Sequence, residues 1–259
     1  MGNYLGQHFL KNNSAIKRIA ETLNIQPNET IIEIGPGNGE LSKELVGDEK
    51  LILIEKDYYL ADKLNRHFQN KNNIEIIRGD ALKELPKIIE EKHLETANYK
   101  IVGNIPYYIT GKLLRIIGEL KIKPKLAVLM IQKEVAERII SSSPKMNLLA
   151  AATQYWSDPK IIFSLKPKDF SPAPKVDSAV IELKTKNIGL DDSKNQNYYK
   201  IVHVIFKQPR KTLFNNLRAG LGLPENDIKN ALEKLNIEID ARPQNLSLNL
   251  IEKLSELLT

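Results

Sequence analysis

The sequence predicts an α/β fold, a Rossmann-like and mostly parallel sheet followed by a small helical domain. Three observations carry this. Short apolar runs alternate with segments of helical length through most of the 259 residues. A glycine-rich turn stands directly after the first of those runs, and beyond residue 197 only helical periodicity remains.

Taken in order, "TIIEI" (30–34), "KLILIEKD" (50–57), "IEIIRGDA" (74–81), "YKIVGN" (99–104) and "KLAVLMIQ" (125–132) are near-continuous apolar runs, the pattern of strands buried on both faces. Between or before them lie helical segments over 12–23, 40–47, 57–70, 110–119 and 133–142. Strand alternating with helix implies right-handed crossovers and a ligand site at the carboxyl ends of the strands. "KIIFSL" (160–165) and "VDSAVIEL" (176–183) have no clear helix between them, which predicts an antiparallel hairpin at one edge. The polar stretch 184–197 reads as a linker. Helices over 197–208, 211–220, 225–235 and 247–258 follow, so the chain divides into domains over 1–185 and 186–259.

Composition narrows the function classes. Apolar residues at 42% supply a core, and 38 Lys and Arg against 32 Asp and Glu leave a net charge of +6. That balance suits a polyanionic partner but is shared by many ordinary proteins. Cysteine is absent, which excludes disulfides, thiolate nucleophiles and Cys-ligated metals. His8, His67, His93 and His203 show no ligand spacing, so no metal site is expected. No run reaches the roughly 18 apolar residues of a membrane span, and the N-terminus lacks a signal-peptide pattern. Gly2 hints at myristoylation, but Gly6 stands where Ser or Thr is wanted. A cytoplasmic protein is expected.

Directly after the first strand comes "EIGPGNGELS" (33–42). A dinucleotide fingerprint would need a third glycine where Glu40 stands, and no Gly-Lys-Ser/Thr follows for a P-loop. What remains is a loop with Gly35, Gly37 and Gly39, permitting close backbone approach among acidic side chains. At the end of the second strand Glu55 is placed to accept from two ribose hydroxyls. After the third, Asp80, in "GDA" with Ala81, is placed to accept from an adenine amine. A cationic nucleoside without phosphates fits, and that ligand is S-adenosylmethionine. Each feature has a plainer reading: the turn as structure, the carboxylates as solvated groups or helix caps. Three at the ends of successive strands are harder to dismiss.

"NIPYYITG" (104–111) follows the fourth strand. An aromatic amine is a poor nucleophile because its lone pair is delocalised. The Asn104 oxygen and a neighbouring backbone carbonyl, in the segment Ile105 and Pro106 that proline stiffens, can accept its two hydrogens and aim the lone pair at a methyl donor. Tyr107 can stack on a flipped-out base, and Phe170, in "FSPAPKVDS" (170–178), could close the other face. Alone, either segment reads as a proline-stiffened turn packed on the core.

With these residues in place the sequence resembles the ribosomal RNA adenine N6-dimethyltransferase family. "GQHFL" (6–10), "EIGPGNGEL" (33–41), "IEKD" (54–57), "GDAL" (79–82), "NIPYYIT" (104–110), "MIQKEVAERI" (130–139), "FSPAPKVDSAV" (170–180) and "RKTLFNNL" (210–217) run in family order. The resemblance is strongest to its bacterial 16S branch, whose substrate is two adjacent adenosines in a hairpin near the 3′ end of the RNA. It implies a seven-stranded methyltransferase sheet over 1–185, with cofactor contacts from His8, Leu10, Gly35, Glu55, Asp80 and Asn104, and stacking by Tyr107 and Phe170. It implies no metal, a monomer, and an immature small ribosomal subunit as partner. Two stretches depart from the family pattern: 141–156, and Tyr108, where asparagine is more usual. The helical domain over 186–259 would bind RNA. Lys207, Arg210, Lys211 and Arg218 lie in one helical neighbourhood; charges so spaced are usually a solvated face, and the resemblance favours a phosphate-binding one. The 23S enzyme of macrolide resistance and a non-catalytic subunit-assembly factor are the alternatives.

Overall fold

The computed structural model describes residues 7–94, 98–186 and 192–258. Gly2 and Gly6, and part of the expected linker, lie outside them. In chain order the elements are β1 (Phe9–Leu10), α1 (Asn13–Leu23), β2 (Thr30–Ile34), α2 (Glu40–Leu45), β3 (Lys50–Glu55), α3 (Tyr58–His67), β4 (Ile74–Arg78), α4 (Ala81–Glu91), β5 (Tyr99–Asn104) and α5 (Thr110–Glu119). Then come β6 (Leu126–Gln132), α6 (Lys133–Ile139), α7 (Leu148–Trp156), β7 (Ser157–Leu165), β8 (Phe170–Ser171), β9 (Ser178–Thr185), α8 (Asp192–Ile205), α9 (Leu213–Leu221), α10 (Glu225–Lys234) and α11 (Leu248–Leu257).

Seven strands form the expected sheet in the order β4-β3-β2-β5-β6-β9-β7. β4, β3, β2, β5 and β6 pair in parallel, and β9 runs antiparallel to β6. The chain winds outward from β2 through β3 to β4, then returns to β5 on the other side of β2. The carboxyl ends of β2 and β5 therefore flank a topological switch point, where open α/β sheets bind ligands. Every residue of β2 is buried, as its two-sided position demands.

β7 and β9 are neighbours at the edge, but they are not a simple hairpin. Their connection carries β8, which leaves the sheet and pairs antiparallel with β1, Phe9 opposite Ser171 and Leu10 opposite Phe170. Helix ends follow local chemistry: the Asn12 side chain accepts from Ala15 N at 3.1 Å to cap α1, and Asp57 caps α3 through Tyr59 N at 2.9 Å.

By packing, the described residues within Met1–Ala136 and Asp158–Lys186 form one compact unit, and those within Glu137–Ser157 and Asn187–Thr259 a second. The division thus differs from a single cut at 185: residues 137–157, with α7, pack with the C-terminal helices. Met146, Ala150 and Ala151 share a core with Tyr198, Ile201, Leu213, Leu217, Ile251 and Leu254, and Tyr155 stacks on Tyr198 at 3.8 Å between centroids. The first unit has its own core, which includes Ile16, Leu23, Leu53, Val102, Val128 and Val180.

Candidate functional site

The ends of β2, β3, β4 and β5 converge on one cleft of about 790 Å³, its mouth included. Gly35, Gly37, Glu55, Asp80, Ala81, Asn104, Ile105, Pro106 and Tyr107 line it, joined by His8 beside β1.

The glycine loop is built on left-handed backbone, with φ of 66° at Gly35, 59° at Gly37 and 82° at Gly39. At Gly37 a Cβ would also come within 2.8 Å of the Phe9 ring, so β1 can close over the loop only on glycine. Glu55 is buried beside it. One carboxylate oxygen accepts from Gly37 N at 2.9 Å and the other from Asp57 N at 2.8 Å. Burial pushes its carboxyl above the ordinary value, against the pull of these N–H groups. Lone pairs remain on both oxygens for hydroxyl donors.

Asp80 accepts from Leu82 N at 3.0 Å, capping α4, and from Lys56 Nζ at 2.9 Å. Burial opposes its ionisation, but the Lys56 ammonium wins and holds the carboxyl below its usual range. The helix-cap reading of Asp80 is thus realised, and a ligand amine would share its second oxygen with Lys56. A third carboxyl, Glu33, is buried at the adjoining cavity and meets Ser42 Oγ at 2.6 Å. Burial, with the charge of Glu55 adding to it, pushes Glu33 up to about 8, so it is neutral at pH 7. Lys56 is the one lysine or arginine in the cleft lining among the described residues, and it is already paired. Two cleft carboxylates against one cation favour a cationic ligand over a phosphate.

Gly103 sits opposite Ile34 across β2 and β5, where a Cβ would collide with the Ile34 carbonyl. The residue after it, Asn104, donates from Nδ2 to the His8 carbonyl at 2.6 Å. That bond leaves Oδ1 as the acceptor end of the amide. Ile105 N donates to Met130 O at 3.0 Å, and Ile109 N to Pro106 O at 3.0 Å, closing a 3₁₀ turn over Tyr107–Ile109. The Tyr107 hydroxyl meets Ser178 Oγ at 2.8 Å, and His8 Nδ1 meets the Pro172 carbonyl at 2.8 Å. The His8 and Tyr107 rings are 5.9 Å apart. A base between them would need about 7 Å, two contacts of roughly 3.5 Å, so it must use the other face of Tyr107.

Leu10 and Phe170 are not in this lining. Leu10 borders the adjoining cavity, which shares Phe9, Gly35 and Asn104 with the first. Phe170 is 2% exposed, in the apolar core. The physical reason is register: directly opposed residues share a face of the ribbon, so burial of Leu10 takes Phe170 with it. Its expected exposure to a base is not the geometry found.

Gln7, Phe9, Lys56, Tyr108 and Ile109 also line the cleft and were not expected there from sequence; Tyr108 stood out only as a departure from the family pattern. Lys56 and Tyr108 directly follow Glu55 and Tyr107, so reading whole strand-end segments finds them. A two-residue ribbon such as β1–β8 leaves no periodic signal. In the second unit Lys207, Arg210 and Lys211 are exposed on the turn between α8 and α9 rather than on a helix. Asn216 pins that turn, accepting from Gln208 N at 3.1 Å and donating to Gln208 O at 3.0 Å and Thr212 O at 3.1 Å. Arg218 is separate, within α9, and pairs with Glu225 at 3.0 Å. Among the described residues no helix is long and apolar enough to cross a membrane, and no three His, Asp or Glu side chains group to hold a metal.

A family model described as ribosomal RNA adenine dimethylase matches residues 3–259. Ribosomal RNA small subunit methyltransferase A of Mycoplasma capricolum subsp. capricolum is 37% identical over 98% of this chain and 96% of its own. The protein of the same name from Dehalococcoides mccartyi strain CBDB1 is 34% identical over 96% and 86%. Among solved structures, a dimethyladenosine transferase from Plasmodium falciparum superposes with a TM-score of 0.79 at 24% identity, covering 95% of this chain and 96% of that one. The 23S rRNA methyltransferase ErmE superposes with 0.71 at 25%, covering 96% and 99%.

Proposed function

Because the chain belongs to the ribosomal RNA adenine dimethylase family, we propose that it methylates N6 of adenines in small-subunit ribosomal RNA with S-adenosylmethionine as donor. When bound, the donor supplies a methyl group on a cationic sulfonium, open to in-line attack by an amine. The cleft fits such a ligand: carboxylates without a free basic side chain, and a loop whose Gly35 and Gly37 line it on left-handed backbone. Glu55 would accept from the ribose hydroxyls, Asp80 and Ala81 would border the adenine, and Gly35, Gly37 and His8 would complete the wall.

The observation that carries the reading is the tethered amide of Asn104. One of its two Nδ2 hydrogens goes to the His8 carbonyl, which fixes the amide's orientation and holds Oδ1 as an acceptor for one N–H of the target amine. The Ile105 carbonyl, stiffened by Pro106, is the acceptor for the second, since the Pro106 carbonyl is taken by Ile109 N. Drawing both hydrogens aside pulls the nitrogen lone pair out of conjugation and orients it. Tyr107, anchored through Ser178, offers its face to the extruded base. Finer details follow the 16S branch: two adjacent adenosines in a 3′-terminal hairpin, four transfers, an immature small subunit as the substrate particle, a cytoplasmic monomer, and the helical unit on the RNA.

The test is methyl transfer from labelled S-adenosylmethionine to unmethylated small and large subunits, with mapping of the product. Dimethyladenosine confined to the small-subunit hairpin is expected. Label in the large subunit would move the assignment to the 23S type, and tight binding without transfer would make the protein an assembly factor. Asn104→Ala should cut transfer at least about 100-fold, as loss of a positioned dipole does, with cofactor affinity much less affected; undiminished transfer would sink the mechanism.

A further inference from the structure

We propose that Tyr108 is a substrate-contacting residue whose ring stacks on the nucleotide next to the target adenine at the cleft mouth. This rests on the ribosomal RNA reading above and extends it to a residue outside the base-holding set. Among the described residues the three most exposed large apolar side chains are Tyr59 at 72%, Tyr58 at 69% and Tyr108 at 63%. Tyr58 already has a ring partner, the Arg78 guanidinium at 5.3 Å, and neither Tyr58 nor Tyr59 lines the cleft. Tyr108 does. Among the described residues its hydroxyl makes no side-chain hydrogen bond and its ring no aromatic contact; the interaction that reaches it is electrostatic, with the Lys56 ammonium of the same lining.

Local geometry separates its role from that of Tyr107. The two share a 3₁₀ turn, where successive side chains diverge by about 120°, so they cannot serve one base. Tyr107 is tied inward to Ser178, while Tyr108 is turned to solvent. An RNA strand that sends one base into the cleft must carry its neighbours past the mouth. There they meet an aromatic face with Lys56, half exposed, in the same lining. Stacking on such a face is sequence-tolerant and is worth about 1–3 kcal/mol per base.

The experiment compares Tyr108→Ala, Tyr108→Phe and the off-cleft control Tyr59→Ala in steady-state methylation of unmethylated small subunits. It adds S-adenosylmethionine affinity by equilibrium dialysis. Tyr108→Ala should raise KM for the subunit about tenfold with kcat nearly unchanged and cofactor affinity intact. Tyr108→Phe, which keeps the ring, should restore KM, and Tyr59→Ala should be silent. In an RNA hairpin carrying 2-aminopurine beside the target, saturating wild-type and Phe proteins should quench fluorescence and the Ala protein should not. An unchanged KM in Tyr108→Ala, a loss of cofactor affinity, or a Phe variant as impaired as Ala would each overturn the proposal. A wild-type protein inactive on both subunits would instead defeat the underlying reading.

Discussion

Glu33 is a residue whose neighbours in sequence say little and whose surroundings decide its chemistry. The glycine motif marks its position, but only enclosure in the fold, with the charge of Glu55 adding to it and the Ser42 hydroxyl pulling against it, raises its carboxyl to about 8. Its folded value near 8 lies above the ordinary 4.5, so the native state holds a proton that the unfolded chain releases between those values. Stability contributed by this group is complete below about pH 4.5 and declines as pH rises to about 8. Glu33→Gln removes the penalty. Thermal melts should show the variant gaining on the parent as pH rises from about 4.5 to 8, by roughly 3 kcal/mol at pH 7; parallel profiles would show that Glu33 is ionised in the fold. Asn104 is the opposite case: its proposed role was argued from "NIPY" together with the other strand-end motifs, and the structure adds the His8 tether. Phe170 was legible as an aromatic on a proline-stiffened loop, but its burial follows from pairing with Leu10, 160 positions away in sequence.

At the scale of elements, β5 explains why its carboxyl end can carry the site. Its amino-terminal half is locked to α1 by Lys100, 3% exposed, whose ammonium meets Glu29 at 2.6 Å and donates to the Leu23 and Asn24 carbonyls at 2.9 and 2.8 Å. Lys125 closes on the same Glu29 at 2.9 Å. Burial works against the Glu29 carboxylate, yet the two ammonium groups hold its value below the usual range. Its stabilising contribution is therefore full above about pH 4.5 and is lost as pH falls through the lowered folded value. Glu29→Ala strands Lys100 in the interior and should destabilise the first unit by about 3–5 kcal/mol, read as a lower denaturation midpoint; a change under about 1 kcal/mol would show the pair to be solvated. At the other end of the strand, glycine at 103 lets β5 lie against the Ile34 carbonyl. The strands themselves were legible because both faces are buried and the runs are apolar throughout. α4 and α7 were missed: α4 begins inside a segment whose end was read as strand, and α7, "LLAAATQYW", is apolar nearly all round and shows little periodicity.

At the scale of the whole chain, the pinned turn between α8 and α9 is the surface on which the RNA reading of the helical unit rests. Arg210→Glu with Lys211→Glu should weaken binding to small subunits at least tenfold and flatten its salt dependence, because fewer counterions are released. Cofactor affinity should stay intact; equal loss of both would indicate misfolding. Arg218→Glu should do less, since Glu225 already pairs that charge. The sequence by itself determined the sheet, the order of its motifs and the placing of Gly35, Glu55, Asp80 and Asn104 at strand ends, because alternation and spacing are local properties that propagate through a regular parallel fold. Only the tertiary structure decided which side chains share the cleft, that residues 137–157 pack with the C-terminal helices, that Phe170 is buried, and that Lys56 occupies Asp80. Those outcomes depend on contacts between residues far apart in the chain, where burial and cross-strand register, not local pattern, set the free energy.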